Sequence, residues 1–340
     1  MEKATNHTNT QAIIKVGIVG GAGYTGGELI RLLLNHPQVN IQFIHSKSNA
    51  GEPVYKVHND LLGDTDLIFA SELSTNIDVL FLCVGHGDAH KFLQANPIAN
   101  HIKIIDLSQD FRLLPNAGAI AGKEFIYGLP ELNKTAIQSA NNIANPGCFA
   151  TAIQLGLLPL AKANKLDEVY TTGITGSTGA GQGLSSTSHF SWRANNISAY
   201  KTLQHQHLHE IRQSLHQVSG QILQTDELIN FVPWRGDFTR GIYVTSVTKS
   251  TLSFDAVIDL FQSFYADAAF THVSETMIDL KQVVNTNKCL IHIEKQGNKI
   301  AIHSAIDNLL KGASGQAVQN MNLLYGFNEH TGLRLKANYF

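Results

Sequence analysis

Cysteine is scarce in this chain: Cys83, Cys148 and Cys289 are the whole complement of 340 residues. The count is odd and no spacing is paired, which excludes a disulfide framework and points to a reducing cytoplasm. Charge of either sign is also short. Lysine and arginine number 25 against 27 acids, for a net charge of −2. No basic face therefore offers itself to nucleic acid or to an anionic membrane. No apolar run reaches membrane-spanning length. Residues 1–11 are polar, rich in Asn and Thr, and lack the apolar core of a signal peptide, so they read as a frayed tail. Internal repeats and low-complexity linkers are absent.

The length allows two domains, each with its own core. Through the first half, β-branched runs at 13–19, 41–45, 78–84 and 102–107 alternate with helical stretches at 28–35 and from about 88. That alternation predicts a doubly wound parallel sheet of Rossmann type. After Cys148 the rhythm changes. Strands are expected at 168–174, 228–232, 241–249, 277–284, 289–294 and 299–303, interrupted by helices at about 207–218 and 255–266. Consecutive strands with few crossovers predict an α+β domain with a mixed or antiparallel sheet and helices on one face. A last helix at about 313–324 is placed back on the first domain. The expected α/β architecture is thus a nucleotide domain of residues 12–147 plus 312–340 and a catalytic, substrate and oligomerisation domain of residues 148–311.

Two segments carry chemistry. The heptad Asn145-Pro146-Gly147-Cys148-Phe149-Ala150-Thr151 runs into the apolar stretch 152–158, which places Cys148 in the first turn of a helix. Free N–H groups and the helix dipole favour a thiolate there, hence a nucleophile. The alternative is a small buried apolar residue. The second segment is Gly20-Gly21-Ala22-Gly23-Tyr24-Thr25-Gly26, between a strand and a helix. Gly20, Gly23 and Gly26 let backbone approach a pyrophosphate on the helix N-terminus, with Tyr24 and Thr25 beside it; the alternative is a tight turn. The next strand ends in His45-Ser46-Lys47-Ser48, without the acid that binds a ribose 2′-hydroxyl. Ser46 and Lys47 suit a 2′-phosphate, so NADP is expected over NAD, unless Lys47 is a solvated surface lysine.

The chain resembles the N-acetyl-γ-glutamyl-phosphate reductases of arginine biosynthesis. The likeness runs from about residue 16 to 333. It rests on the glycine loop, on Asp106-Leu107-Ser108-Gln109-Asp110-Phe111-Arg112, on Tyr127-Gly128-Leu129-Pro130-Glu131 and on Asn145–Thr151. It continues through Gly176-Ser177-Thr178-Gly179-Ala180-Gly181, His205-Gln206-His207 with Glu210, Arg240-Gly241-Ile242 and the run 307–322. The resemblance implies NADPH-dependent reduction of an acyl phosphate to an aldehyde, with Cys148 forming a thioester and His205 as acid/base. It also implies a homodimer or homotetramer. His207 and Glu210 are then supports for His205 or the substrate. Arg112 and Arg240 are assigned to substrate anions, with Ser108 at the phosphate and the interdomain salt bridge as the alternative for either arginine. Asn308 and Gln316 are assigned to the nicotinamide amide, and Ser177 and Gly179 to the site near Cys148.

No metal is expected. His205, His207 and His209 alternate, but Leu208, Ile211 and Leu215 give this stretch a helical face, on which only His205 and His209 could pair. Two departures from the family pattern stand out. Gln206 replaces an arginine common in the family, and Trp234 follows Pro233 where a histidine is common. Both are expected near the substrate pocket, which opens an N-succinyl or aminoadipyl analogue as an alternative substrate. The sequence also admits an aspartate-semialdehyde dehydrogenase or a non-catalytic NADP-binding regulator.

Overall fold

The computed structural model describes residues 13–118, 124–220 and 228–340. The expected frayed tail at 1–11 lies outside them. The first half of the chain builds β1 (Ile14–Val19), α1 (Tyr24–Leu34), β2 (Val39–His45), β3 (Phe69–Ala70), β4 (Val79–Leu82), α2 (Asp88–Ala95), β5 (Lys103–Asp106), β6 (Phe125–Tyr127), α3 (Pro130–Ser139) and β7 (Asn142–Ala144). The strands form one sheet in the order β3-β2-β1-β4-β5-β7-β6, and every pairing is parallel. Central strands covered on both faces must be continuously apolar, and β4 is buried at all its positions. The strand order reverses between β1 and β4, and the glycine loop leaves β1 at that switch point, where doubly wound sheets bind ligands.

α4 (Cys148–Lys162) then runs through the middle of the molecule, with residues 149–161 all buried. A helix that is apolar all round has to be enclosed, and this one lies against the second sheet. That part comprises β8 (Val169–Thr175), α5 (Phe190–Arg193), β9 (Ser198–Ala199), α6 (His207–Ser219), β10 (Ile229–Arg235), β11 (Ile242–Lys249), α7 (Phe254–Phe264), β12 (Thr271–Val273), β13 (Cys289–Gln296) and β14 (Lys299–Ile306). The sheet order is β12-β13-β14-β11-β8-β10-β9, with β8/β10 and β12/β13 parallel and the rest antiparallel. The expected mixed sheet is therefore present. β8 and β11 alternate buried and open residues, so one face packs on α4 while the other carries Tyr170, Thr172, Thr245 and Val247 outward.

A π-helical turn, Leu310–Ser314, leads into α8 (Gly315–Leu324), which packs against α1 and α3 of the first sheet. Every residue of α8 is buried, including its polar ones. Asn320 donates to Gly128 O and Asn145 Oδ1, and Asn322 to the carbonyls of Glu329 and Thr331.

One expected strand is absent. Residues 277–284 form a 3₁₀ turn, Leu280–Gln282, because Asp279 and Gln282 close a reciprocal capping box. α1 begins at Tyr24, within the glycine loop that is expected to open it.

Candidate active site

Cys148 is the first residue of α4, and Gly147 before it is the N-cap. Gly147 has no side chain to satisfy the first-turn N–H groups, so they are left to the cleft. A Cβ on Gly147 would stand 2.4 Å from Nε2 of His207, so only glycine fits the turn. A Cβ on Gly312 would stand 2.7 Å from Cβ of Cys148. Of the three free cysteines, Cys148 alone is half-open; Cys83 and Cys289 are buried.

The residue faces a cavity of about 550 Å³ that lies between the two sheets. Gly23, Tyr24 and Thr25 form one wall, Thr178 and Gly179 another, and Arg112, His205 and His207 a third. The structure thus gathers the expected nucleophile, histidines and cofactor loop around one space. A neighbouring cavity of about 590 Å³ shares Arg112 and Gln206 but lacks Cys148.

Burial works against the expected acidic thiol. Burial pushes the Cys148 thiol up to about 11; the Phe149 N–H and the Arg112 charge pull the other way, and desolvation wins. His205 is likewise held down, to about 4, by burial and then by the Lys201 charge. Its Nδ1 accepts the His207 N–H at 3.2 Å. That contact fixes the neutral ring with its proton on Nε2, so His205 presents a donor to the cavity. Phe149, Tyr200 and Phe231 pack edge-on around the ring.

Glu210 is the joint behind the site. Its Oε1 accepts from Arg112 Nη1 at 3.0 Å; its Oε2 accepts from Tyr127 Oη and from the Gly147 N–H, both at 2.9 Å. Gln154 Nε2 donates to Tyr127 Oη. The carboxylate therefore holds the turn that carries Cys148 rather than His205.

Several expected site residues are placed elsewhere. Arg240 is spent on carboxylates: Nε donates to Asp307 at 2.6 Å, and Nη1 and Nη2 to Glu28 at 2.8 and 2.9 Å. It joins α1 to the end of β14 and does not line the cavity, so its assignment to a substrate anion is corrected. Arg112 does line it, yet all three guanidinium nitrogens are taken, by Asn145 O, Glu210 and Leu107 O. Ser108 is fully buried and turns its hydroxyl to Asp106 Oδ2 at 2.8 Å. Ser177 is displaced from the lining by its neighbour Thr178. Asn308 is at the cavity, but its amide clasps two loops, accepting from the Gly241 N–H and donating to Thr178 Oγ1. Gln316 is buried in α8 and donates to Thr151 Oγ1 of α4, away from the lining. Trp234 is on the wrong parity of β10: Ile229, Phe231 and Pro233 face inward, and Arg235, not Trp234, reaches the cavity. Gln206 lines it as expected.

The glycine loop fits a dinucleotide. Gly20 has φ +80°, and a Cβ there would stand 2.4 Å from Cys83 O; a Cβ on Gly26 would stand 2.6 Å from Gly20 O. Gly23, the N-cap of α1, brings no capping side chain, and a Cβ there would meet only Gly20 O, at 3.7 Å, among the described residues. Free first-turn N–H groups with open space above them are what a pyrophosphate needs. The loop is tied to the end of β2, since His45 O accepts from the Gly20 and Gly21 N–H groups. Ser46 is buried beside Asn49 and Lys47 is exposed.

A nucleotide-binding parallel sheet, a mixed second sheet and a cysteine at the helix between them define the semialdehyde dehydrogenase class. Residues 15–140 match the family described as semialdehyde dehydrogenase, NAD binding domain, and residues 148–308 the family described as semialdehyde dehydrogenase, dimerisation domain. Aspartate semialdehyde dehydrogenase II from Vibrio cholerae, solved with ASA, has the same fold at a TM-score of 0.70 and 15% identity, over 92% of this chain and 98% of that one. The Candida albicans enzyme, solved with NADP, superposes at 0.67 and 13% identity, also over 92% of this chain and 98% of that one. Within this class the chain belongs to the N-acetyl-γ-glutamyl-phosphate reductase family. It is 56% identical over 330 residues to the member from Azobacteroides pseudotrichonymphae and 54% identical over 329 residues to that from Christiangramia forsetii, in each case over 96% of this chain and all of the relative.

Proposed function

We propose that this chain reduces N-acetyl-γ-glutamyl phosphate to the 5-semialdehyde with NADPH, through a thioester on Cys148. The observation that carries the reading is that Cys148, half-open in the first turn of α4, shares one cavity with Gly23–Thr25 and His205. Sulfur attacks the acyl carbon, the carbon–oxygen bond to phosphate breaks, and the thiol proton leaves with hydrogen phosphate. The reduced nicotinamide, when bound, supplies a hydride. First-turn N–H groups of α4 and the Nε2–H of His205 steady the carbonyl oxygen as it gains charge. The hemithioacetal on Cys148 then collapses to aldehyde and thiolate, which takes up one proton.

The nucleotide-binding part is residues 12–147 plus 312–340 and the catalytic part residues 148–311. NADP is preferred over NAD through Lys47 and Ser46, beside the glycine loop. The chain works in the cytoplasm as a homo-oligomer; among the described residues no helix is long and apolar enough to cross a membrane. The match to a dimerisation domain and the outward face of the second sheet support a contact between copies there. Sedimentation of the wild type and of Tyr170→Arg tests it, and an unchanged oligomer would remove the contact from that face.

The deciding assay runs in reverse, with N-acetyl- and N-succinyl-glutamate semialdehyde, phosphate and either cofactor. Turnover of the acetyl compound with NADP is expected. Cys148→Ser should abolish it while cofactor binding persists; turnover by that variant would defeat the covalent route. Preference for the succinyl compound would move the acyl assignment, an alternative that Gln206 keeps open.

A further inference from the structure

The described lining of the Cys148 cavity contains three permanent cations, Arg112, Lys201 and Arg235, and no aspartate or glutamate. Arg112 is neutralised by Glu210, each of its guanidinium nitrogens already donating one hydrogen bond. The other two are not. Lys201 Nζ donates at 2.8 Å to the neutral side chain of Gln206. The guanidinium of Arg235 lies 4.9 Å from the centre of the Tyr200 ring and reaches Thr187 Oγ1 only at 3.5 Å. Its Nε is buried without a partner. A buried, unpaired guanidinium nitrogen is costly unless something else supplies the acceptor.

The backbone holds Lys201 at a cost. Lys201 has φ 46° and Leu203 φ 59°, two left-handed non-glycine residues in the loop between β9 and α6. Such conformations cluster where a loop is held for function. Burial is what chiefly depresses His205, His207 and His86, and the Lys201 charge adds to it at each.

We propose that Lys201 and Arg235, rather than Arg112 and Arg240, bind the anionic groups of the substrate, with Gln206 tethering Lys201 and Tyr200 supporting the Arg235 plane. The inference rests on the proposed reaction for the identity of those groups. That substrate carries a carboxylate and a transferable phosphate, and a planar fork and a point charge suit such oxyanions. Gln206 then has a role of its own, since an arginine there would repel Lys201 instead of holding it.

Steady-state kinetics of the reverse reaction separate the claims. Lys201→Met and Arg235→Met should each raise KM for inorganic phosphate or for the semialdehyde by about ten- to hundredfold, with KM for NADP unchanged. Arg235→Lys and Lys201→Arg should recover part of the loss. An effect confined to NADP would give the two cations to the cofactor and overturn the proposal, as would unchanged constants for all three reactants. A second measurement needs no turnover. Inorganic phosphate should slow alkylation of Cys148 by iodoacetamide in the wild type, and should do so at least about tenfold less effectively in the Lys201→Met, Arg235→Met double variant. Equal protection in both proteins would also overturn it. If the wild type turns over no semialdehyde yet shows charge-dependent protection, the proposed reaction falls and the anion wall stands.

Discussion

Cys148 is pulled in two directions. The N-terminus of α4 and Arg112 favour a thiolate, while the dry wall around the sulfur favours the thiol and prevails in the ligand-free cleft. Below its pKa a thiol gains reactivity tenfold per pH unit, because only the thiolate attacks. Alkylation of Cys148 in the free protein should therefore climb steadily from pH 7 and reach its half-maximum near 11, against about 8.5 for an unperturbed thiol. Mass spectrometry of iodoacetamide-treated protein follows it, and a midpoint at or below pH 7 would show that the helix terminus outweighs desolvation. His205 poses the complementary question. With its proton on Nε2 it steadies an oxyanion, and loss of one such donor typically costs about 10²–10³ in kcat. His205→Ala should show that loss and His205→Asn, which keeps a donor, should recover part of it. No recovery would return the residue to proton transfer. The position of Cys148 was legible because Pro-Gly before an apolar run specifies a helix start. Its pKa was not, since desolvation depends on walls contributed by residues far away in the chain.

Among the elements, long apolar runs declared themselves and short ones did not. β1, β2, β8, β11 and α6 follow from β-branched density or helical periodicity. β3, β9, β6, β7 and β12 have two or three residues each, too few to show a period, and exist because neighbouring strands offer an edge. The same local logic explains the misplacing of Trp234. Alternation along β10 was visible in the sequence, and reading it from Phe231 would have brought Arg235 inward. What no local pattern reveals is the joint at Glu210, where α6 meets Arg112, Tyr127 and the turn before α4. Removing one partner of a buried ion pair typically costs about 3–5 kcal/mol, because the other charge stays buried. Glu210→Gln should lose stability on that scale and also kcat, since the Cys148 turn loses its anchor. Tyr127→Phe deletes the bond to Glu210 and the acceptor of Gln154 Nε2 but leaves the ion pair, and should cost about 2 kcal/mol. Denaturant melts of the two variants give the order, and equal losses would mean that the charge at Glu210 is not what stabilises the joint.

At the scale of the whole molecule, the two sheets are tied by charges that the sequence separates widely. Arg240 spans from Glu28 on α1 to Asp307 after β14, and Lys311, fully buried, pairs with Glu131 of α3 at 2.8 Å. Asp307 also accepts from the N–H groups of Asn285, Leu309 and Leu310, so it organises the π-helical turn that brings Gly312 against Cys148. Family likeness marked Arg240 without revealing which anion it meets, because a partner 212 residues away leaves no trace in spacing. The two roles make opposite predictions. As a tie, Arg240→Met leaves Glu28 and Asp307 without their shared cation and should destabilise the fold by about 3–5 kcal/mol, lowering Tm by several degrees. KM for phosphate and for the semialdehyde should stay within about twofold, since no substrate bond is lost. As a substrate ligand, the same change would spare Tm and raise KM. Calorimetry and reverse-direction kinetics on that one variant decide between them, and a raised KM at unchanged Tm would put Arg240 back in the pocket.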